Sequence, residues 1–148
     1  MRIGHSNLRR MAGVTLLELM AVVVVIGILG MIALPSYRQY VMRAQRTDAK
    51  TALLQLQTNQ ERFYLANRRY GTVAELVGAN LLSAGGLSER GSYQLAIASA
   101  NFADTYTATA TPVAGGNPDM TADTMCTSFS LTAQGVKTAT GTNPTSCW

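Results

Sequence analysis

A few side chains in this sequence have types and positions that demand a chemical reason: Glu18, the pair Cys126 and Cys147, and the cations Arg43, Arg46 and Lys50. Glu18 is the only charge in the 21 residues from Val14 to Leu34, VTLLELMAVVVVIGILGMIAL. A carboxylate in a membrane-length apolar segment costs on the order of 2.5–3.5 kcal/mol at mid-bilayer. Its chemistry there is ion pairing, with a cation brought to it by a partner. Otherwise it sits close enough to the helix end to reach the headgroups. Cys126 and Cys147 are the only cysteines and form no CxxC pair. They read as a disulfide made in an oxidising compartment, which puts the C-terminal part outside the cytoplasm, with free buried thiols as the alternative. Arg43, Arg46 and Lys50 lie on one helical stripe. Such a stripe can meet DNA or anionic headgroups, but more often it is solvated or makes subunit contacts, and nucleic-acid binding by this chain itself is not expected. Asn117, Asp119 and Asp123 are oxygen donors in one loop without the spacing of a calcium loop, so no metal and no cofactor is expected.

These residues need elements to hold them. Read as a helix, Val14–Leu34 is about 31 Å long, close to the thickness of a bilayer's hydrocarbon core. Ahead of it, residues 1–13 hold Arg2, Arg9, Arg10 and the only histidine, His5, and no acid. A secretory signal has a shorter apolar core and is cut after it. Here the plausible cut, after Gly13, precedes the run, so the apolar helix stays on the protein. Twelve Lys and Arg, less the three in the leader, leave nine against eight acids. The basic character of the whole sequence is therefore largely a leader property. The same cut removes His5, and with it any histidine catalysis or ligation. Charge does not fix the membrane orientation, because Arg38, Arg43, Arg46 and Lys50, offset only by Asp48, crowd the far end of the span.

Helical pattern continues beyond the span. From Tyr37 to about Asn67 there is no Pro and no Gly. Ala49, Ala52, Leu53, Leu56 and Phe63 recur at three- and four-residue steps as one apolar stripe. One long helix from about 14 to 66 is predicted, with Gly27, Gly30 and Pro35 as its weak points. Residues 68–91 read as loop, with a short helical turn near 73–77. The period then changes to two. Tyr93, Leu95 and Ile97 alternate with smaller or polar residues. TYTATAT at 105–111 alternates until Pro112, SFSLT at 128–132 alternates again, and VKTAT at 136–140 returns after an Ala133-Gln134-Gly135 turn. That predicts three or four antiparallel strands whose threonines face solvent, in preference to a glycosylated stalk. Phe63, Tyr64, Tyr70, Tyr93, Tyr106 and Phe129 are assigned to core and sheet packing. Trp148 either packs on the sheet or lies exposed near the cysteine loop.

The stretch Arg10-Met11-Ala12-Gly13-Val14-Thr15-Leu16-Leu17-Glu18, followed directly by an apolar run, resembles the class III signal of type IV pilins and pseudopilins. Gly27 and Pro35 stand at that family's usual places. The segment 45–64 and the ending Cys147-Trp148 are similar to PilE-type minor pilins of Gram-negative bacteria, although Val14 stands where the family usually has Phe. The resemblance implies an α+β pilin fold, in which a long N-terminal helix packs on a small antiparallel sheet with a C-terminal disulfide loop, Cys126 to Cys147. It implies a cleaved leader 1–13, a transmembrane and filament-core helix 14–40, and a periplasmic domain 41–148 with an αβ-loop at about 67–91 and a sheet at about 93–140. By the same resemblance a prepilin peptidase cuts after Gly13, Val14 is N-methylated, and Glu18 pairs with a neighbouring subunit's N-terminal amine, while Gly27 and Pro35 serve assembly. The subunit is expected in the inner membrane and then in a surface pilus among other pilins, with a tip adhesin as a further partner, serving twitching motility, adhesion or DNA uptake.

Two other classes are weighed. A pseudopilin of a type II secretion system shares the leader and helix, but the C-terminal disulfide loop argues against it. A single-span membrane enzyme has no support, since the chain without its leader has no histidine, no nucleophile motif and only scattered carboxylates.

Overall fold

The computed structural model describes residues 13–115 and 119–148. The leader through Ala12 and Asn117 lie outside the described residues. The chain divides into two compact units, Met1–Tyr37 and Arg38–Trp148.

Helix α1 is Leu16–Asn67. Its uninterrupted run past Tyr37 follows from the absence of helix breakers there. It ends where Arg68 turns to a left-handed backbone (φ 57) and donates its N–H to the Tyr64 carbonyl at 2.7 Å, a chain reversal at the residue after the last helical turn. Helix α2 is Val73–Gly78, longer by one residue than the turn expected from sequence. Thr72 caps it, accepting from Glu75 N while Glu75 reaches back to Thr72 N, so two orphan N–H groups are satisfied reciprocally. Arg69 pairs with Glu75, and that bond holds the Glu75 carboxyl down to about 2.

Strands β1 (Tyr93–Ala98), β2 (Thr107–Pro112), β3 (Ser128–Thr132) and β4 (Lys137–Thr140) form one antiparallel meander in the order β1-β2-β3-β4. The register explains the composition. Leu95, Ala110, Phe129 and Ala139 lie in one row across the sheet, and Thr109, Ser130 and Thr138 alternate with them. Because successive side chains point to opposite faces, the apolar row meets the core and the hydroxyls point away. Pro112 is the last residue of β2, opposite Tyr93 at the edge of the sheet, where its missing N–H is tolerated.

The buried cluster combines Ala49, Ala52, Leu53 and Leu56 of α1 with Tyr93, Leu95, Ala108, Ala110, Phe129 and Leu131 of the sheet. Small alanines on the central strand β2 leave room for the helix, and Phe129 stands edge-on between Tyr93 and Trp148 at 5.9 Å from each. Trp148 also donates Nε1–H to the Thr138 carbonyl at 2.6 Å. It therefore packs on the sheet.

Polar ties fix the segment between α1 and β1. Buried Gln60 clamps Gly71 at both ends, accepting from its N–H at 2.8 Å and donating to its carbonyl at 2.7 Å. Asn59 donates to the Leu81 carbonyl at 2.6 Å, and the Ser88 hydroxyl donates to Asp48 at 2.6 Å. Cys126 and Cys147 are bonded, with Cα atoms 5.8 Å apart, and both are fully buried. Gly141 makes this closure possible. At φ 135° its backbone passes so close to Met125 that a Cβ would sit 2.2 Å from the Met125 carbonyl oxygen.

Because the bridge closes a span of 21 positions, Cys126→Ser or Cys147→Ser is expected to destabilise the Arg38–Trp148 unit by about 2–4 kcal/mol. Thermal unfolding of reduced wild type should match the variants. Rapid alkylation of both cysteines in native, unreduced protein would contradict the bridge.

Candidate functional site

Two sets of residues lie outside the core and carry chemistry. The first is the N-terminal end of α1. Gly13 and Val14 are exposed, and a Cβ added at Gly13, Gly27 or Gly30 would meet nothing within 4 Å. The large apolar residues from Leu16 to Leu34 are exposed on every side of the helix. This is the one described helix long and apolar enough to cross a membrane. Burying such a surface is worth about 25 cal/mol per Å², so it stays in water only at great cost and calls for lipid or other helices around it.

Thr15 is the N-cap of this helix. Its hydroxyl accepts from Glu18 N at 3.2 Å, and Glu18 is the only acid in the first turn. The sequence reading weighed Glu18 only as an ion-pair partner or a headgroup-level charge. The structure adds a local role, since an acid in the first turn meets the positive end of the helix dipole. The pattern Thr15-x-x-Glu18 before an apolar run is itself a capping signal.

The second set is the cation stripe, and here the structure corrects the sequence reading. Arg46 is not solvated. It is 7% exposed and forms a two-pronged pair with Asp123, Nε to Oδ2 at 2.6 Å and Nη2 to Oδ1 at 2.8 Å. Asp123 also accepts from Met125 N at 3.1 Å and Cys126 N at 3.3 Å. It thus anchors the turn into the disulfide to α1. Asp119 caps the short 3-10 turn Met120–Ala122 by accepting from Thr121 N. Asp119 and Asp123 therefore have structural partners, and among the described residues no group of three or more His, Cys, Asp or Glu could hold a metal ion. Arg43 and Lys50 remain outside the core.

A helix with an exposed apolar first part, followed by a four-strand meander packed on its later turns and closed by a C-terminal disulfide, defines the pilin class of fold. A family model described as "Type IV minor pilin ComP, DNA uptake sequence receptor" matches residues 35–130, well over half of the chain. The chain belongs to the type IV pilin family, a family of structural proteins and not of enzymes. The type IV major pilin protein PilA of Myxococcus xanthus is 41% identical over 78 residues, 53% of this chain and 35% of that protein. The type II secretion system core protein G of Dickeya chrysanthemi is 32% identical over 71 residues, 48% of this chain and 46% of that protein. A type IV pilin from Shewanella oneidensis, 20% identical, superposes with a TM-score of 0.48 over 72% of this chain and 97% of that one. The matched stretches span between a third and a half of the two curated relatives.

Proposed function

We propose that this chain is a minor pilin, a structural subunit of a type IV pilus. In this reading the leader 1–13 is removed after Gly13 by a prepilin peptidase, and Val14 becomes the methylated N-terminus. The helix 14–40 holds the subunit in the inner membrane with 41–148 in the periplasm, and later packs among other pilins in the filament core, with a tip adhesin as a further partner. The observation that carries it is the all-round exposure of the apolar side chains on Leu16–Leu34, beside a domain that completes its own core without them. A helix of that kind fits lipid first and a helical filament core afterwards.

Processing is tested by intact mass. Protein extracted from membranes should begin at Val14 and be one methyl heavier than the bare chain, and a bulky residue at Gly13 should block the cut. Mature chains that retain Arg9 and Arg10 would overturn the reading. Assembly is tested by fractionation, in which the subunit should appear in sheared pili. Two further readings have a specific observation behind them. The likeness to the Dickeya core protein G supports a secretion pseudopilin, which predicts a secretion defect on deletion and no subunit in sheared pili. The description of the matched family supports a part in DNA uptake. Against direct DNA contact by this chain, Arg46 and Arg69 are committed to Asp123 and Glu75. A salt-dependent shift of duplex DNA by the purified chain would favour direct contact.

A further inference from the structure

Within the Arg38–Trp148 unit, a groove of about 390 Å³ runs between α1 and the disulfide loop, with Arg43, Arg46 and Lys50 on one wall and Met125, Asn143 and Ser146 on the other. A notch of about 220 Å³ adjoins it, where Gln39, Met42 and Arg43 face the 122–125 segment. Neither the core nor the helix start accounts for this feature. Its one carboxylate, Asp123, is taken up by Arg46 and two backbone N–H groups. Arg43 and Lys50 have no acidic partner among the described residues. The Lys50 ammonium is pushed down, first by burial and then by the neighbouring cations Arg46 and Lys137. The groove is therefore a place of positive potential without a counter-ion.

The position in the chain favours one kind of anion. Arg43 comes nine residues after Leu34, the end of the apolar run, and exposed Tyr40 and Arg38 lie between them. Tyrosine and arginine just beyond an apolar span are residues that sit at headgroup level. Met42 and Met125 put apolar surface beside the cations, which matches a group carrying both a phosphate and the start of an acyl chain. A duplex read through its phosphates needs many open cations. A single headgroup needs only one or two.

We propose that this groove seats the phosphate of an anionic phospholipid, held by Arg43 and Lys50, while the subunit is anchored in the membrane. The proposal rests on the reading of 14–40 as a membrane helix. A bound headgroup would hold the periplasmic domain near the bilayer, and extraction into the filament would have to break that contact.

The test uses the full chain in neutral detergent micelles, so it reads the groove whether or not the subunit reaches a pilus. A chain that is not a membrane protein fails earlier, at membrane extraction. Native mass spectrometry measures retention of short-chain phosphatidylglycerol against phosphatidylcholine of equal acyl length, with inorganic phosphate and a short DNA duplex as separate arms. Phosphatidylglycerol should be preferred, and the preference should fall about fivefold for each cation removed in Arg43→Gln and Lys50→Gln. It should persist in Arg62→Gln, which removes an exposed cation elsewhere on α1. If the double variant melts early, Arg43→Gln alone decides, because Arg43 is exposed and outside the core. Equal retention of the two lipids, a preference unchanged in Arg43→Gln, or binding of phosphate or duplex at lower concentration than phosphatidylglycerol would each overturn the proposal.

Discussion

Asp123→Ala is expected to destabilise the Arg38–Trp148 unit by about 3–5 kcal/mol, the usual cost of removing one side of a buried ion pair. The reason lies in what stays behind. Arg46, at 7% exposure, keeps its charge and loses the only carboxylate paired with it. Met125 N and Cys126 N lose their side-chain acceptor at the entry to the disulfide. For a domain of this size each kcal/mol lowers the melting temperature by roughly 4–8 °C, so the shift is large and simple to read by circular dichroism. The double change Arg46→Met with Asp123→Leu should recover most of the loss, because it removes both charges and fills the space with apolar atoms. A loss below about 1 kcal/mol in Asp123→Ala would mean that the pair is screened like an ordinary surface bridge. Failure of the double change to recover would assign the cost to the backbone acceptor role of Asp123.

The parts of the fold that were legible in the sequence are those governed by short-range periodicity. The stripe Ala49, Ala52, Leu53, Leu56 and Phe63 is buried as its spacing requires. The alternating threonines fall on the strand positions opposite the apolar row. The Ala133-Gln134-Gly135 reversal joins β3 and β4, with Gly135 at φ 81°. These features depend on neighbours two to four residues away, and the sequence states those neighbours directly. The features that escaped are tertiary. Arg46 shares a helical stripe with Arg43 and Lys50, and nothing within the helix distinguishes it. Its partner is 77 residues away, and only the packing of the disulfide loop against α1 brings the two together. Gln60 was unremarkable for the same reason, since its two bonds to Gly71 exist only after the chain has reversed. The local role of Glu18 was legible and was passed over, because its charge in an apolar run drew the whole explanation toward a partner.

That double role of Glu18 sets the largest functional effect we expect. Glu18→Ala should insert in the membrane as well as wild type or better, because a costly charge is removed. Its incorporation into sheared pili, measured against the membrane pool, should fall sharply. In the filament the neighbour's new N-terminal amine would enter apolar surroundings without a counter-charge, a loss of about 3–5 kcal/mol per pair. The capping contact offers a competing account, in which the substitution merely frays the start of α1. Thr15→Ala separates the two. It removes the hydroxyl that accepts from Glu18 N and keeps the carboxylate, at a cost of about 1 kcal/mol in the helix start. Ion pairing between subunits therefore predicts near-normal incorporation for Thr15→Ala and severe loss for Glu18→Ala, with Glu18→Gln close to the alanine variant because it too lacks the charge. Equal losses in Thr15→Ala and Glu18→Ala would make the helix start the essential feature. Normal incorporation of Glu18→Ala would leave Glu18 as a charge tolerated near the membrane surface, with no part in joining subunits.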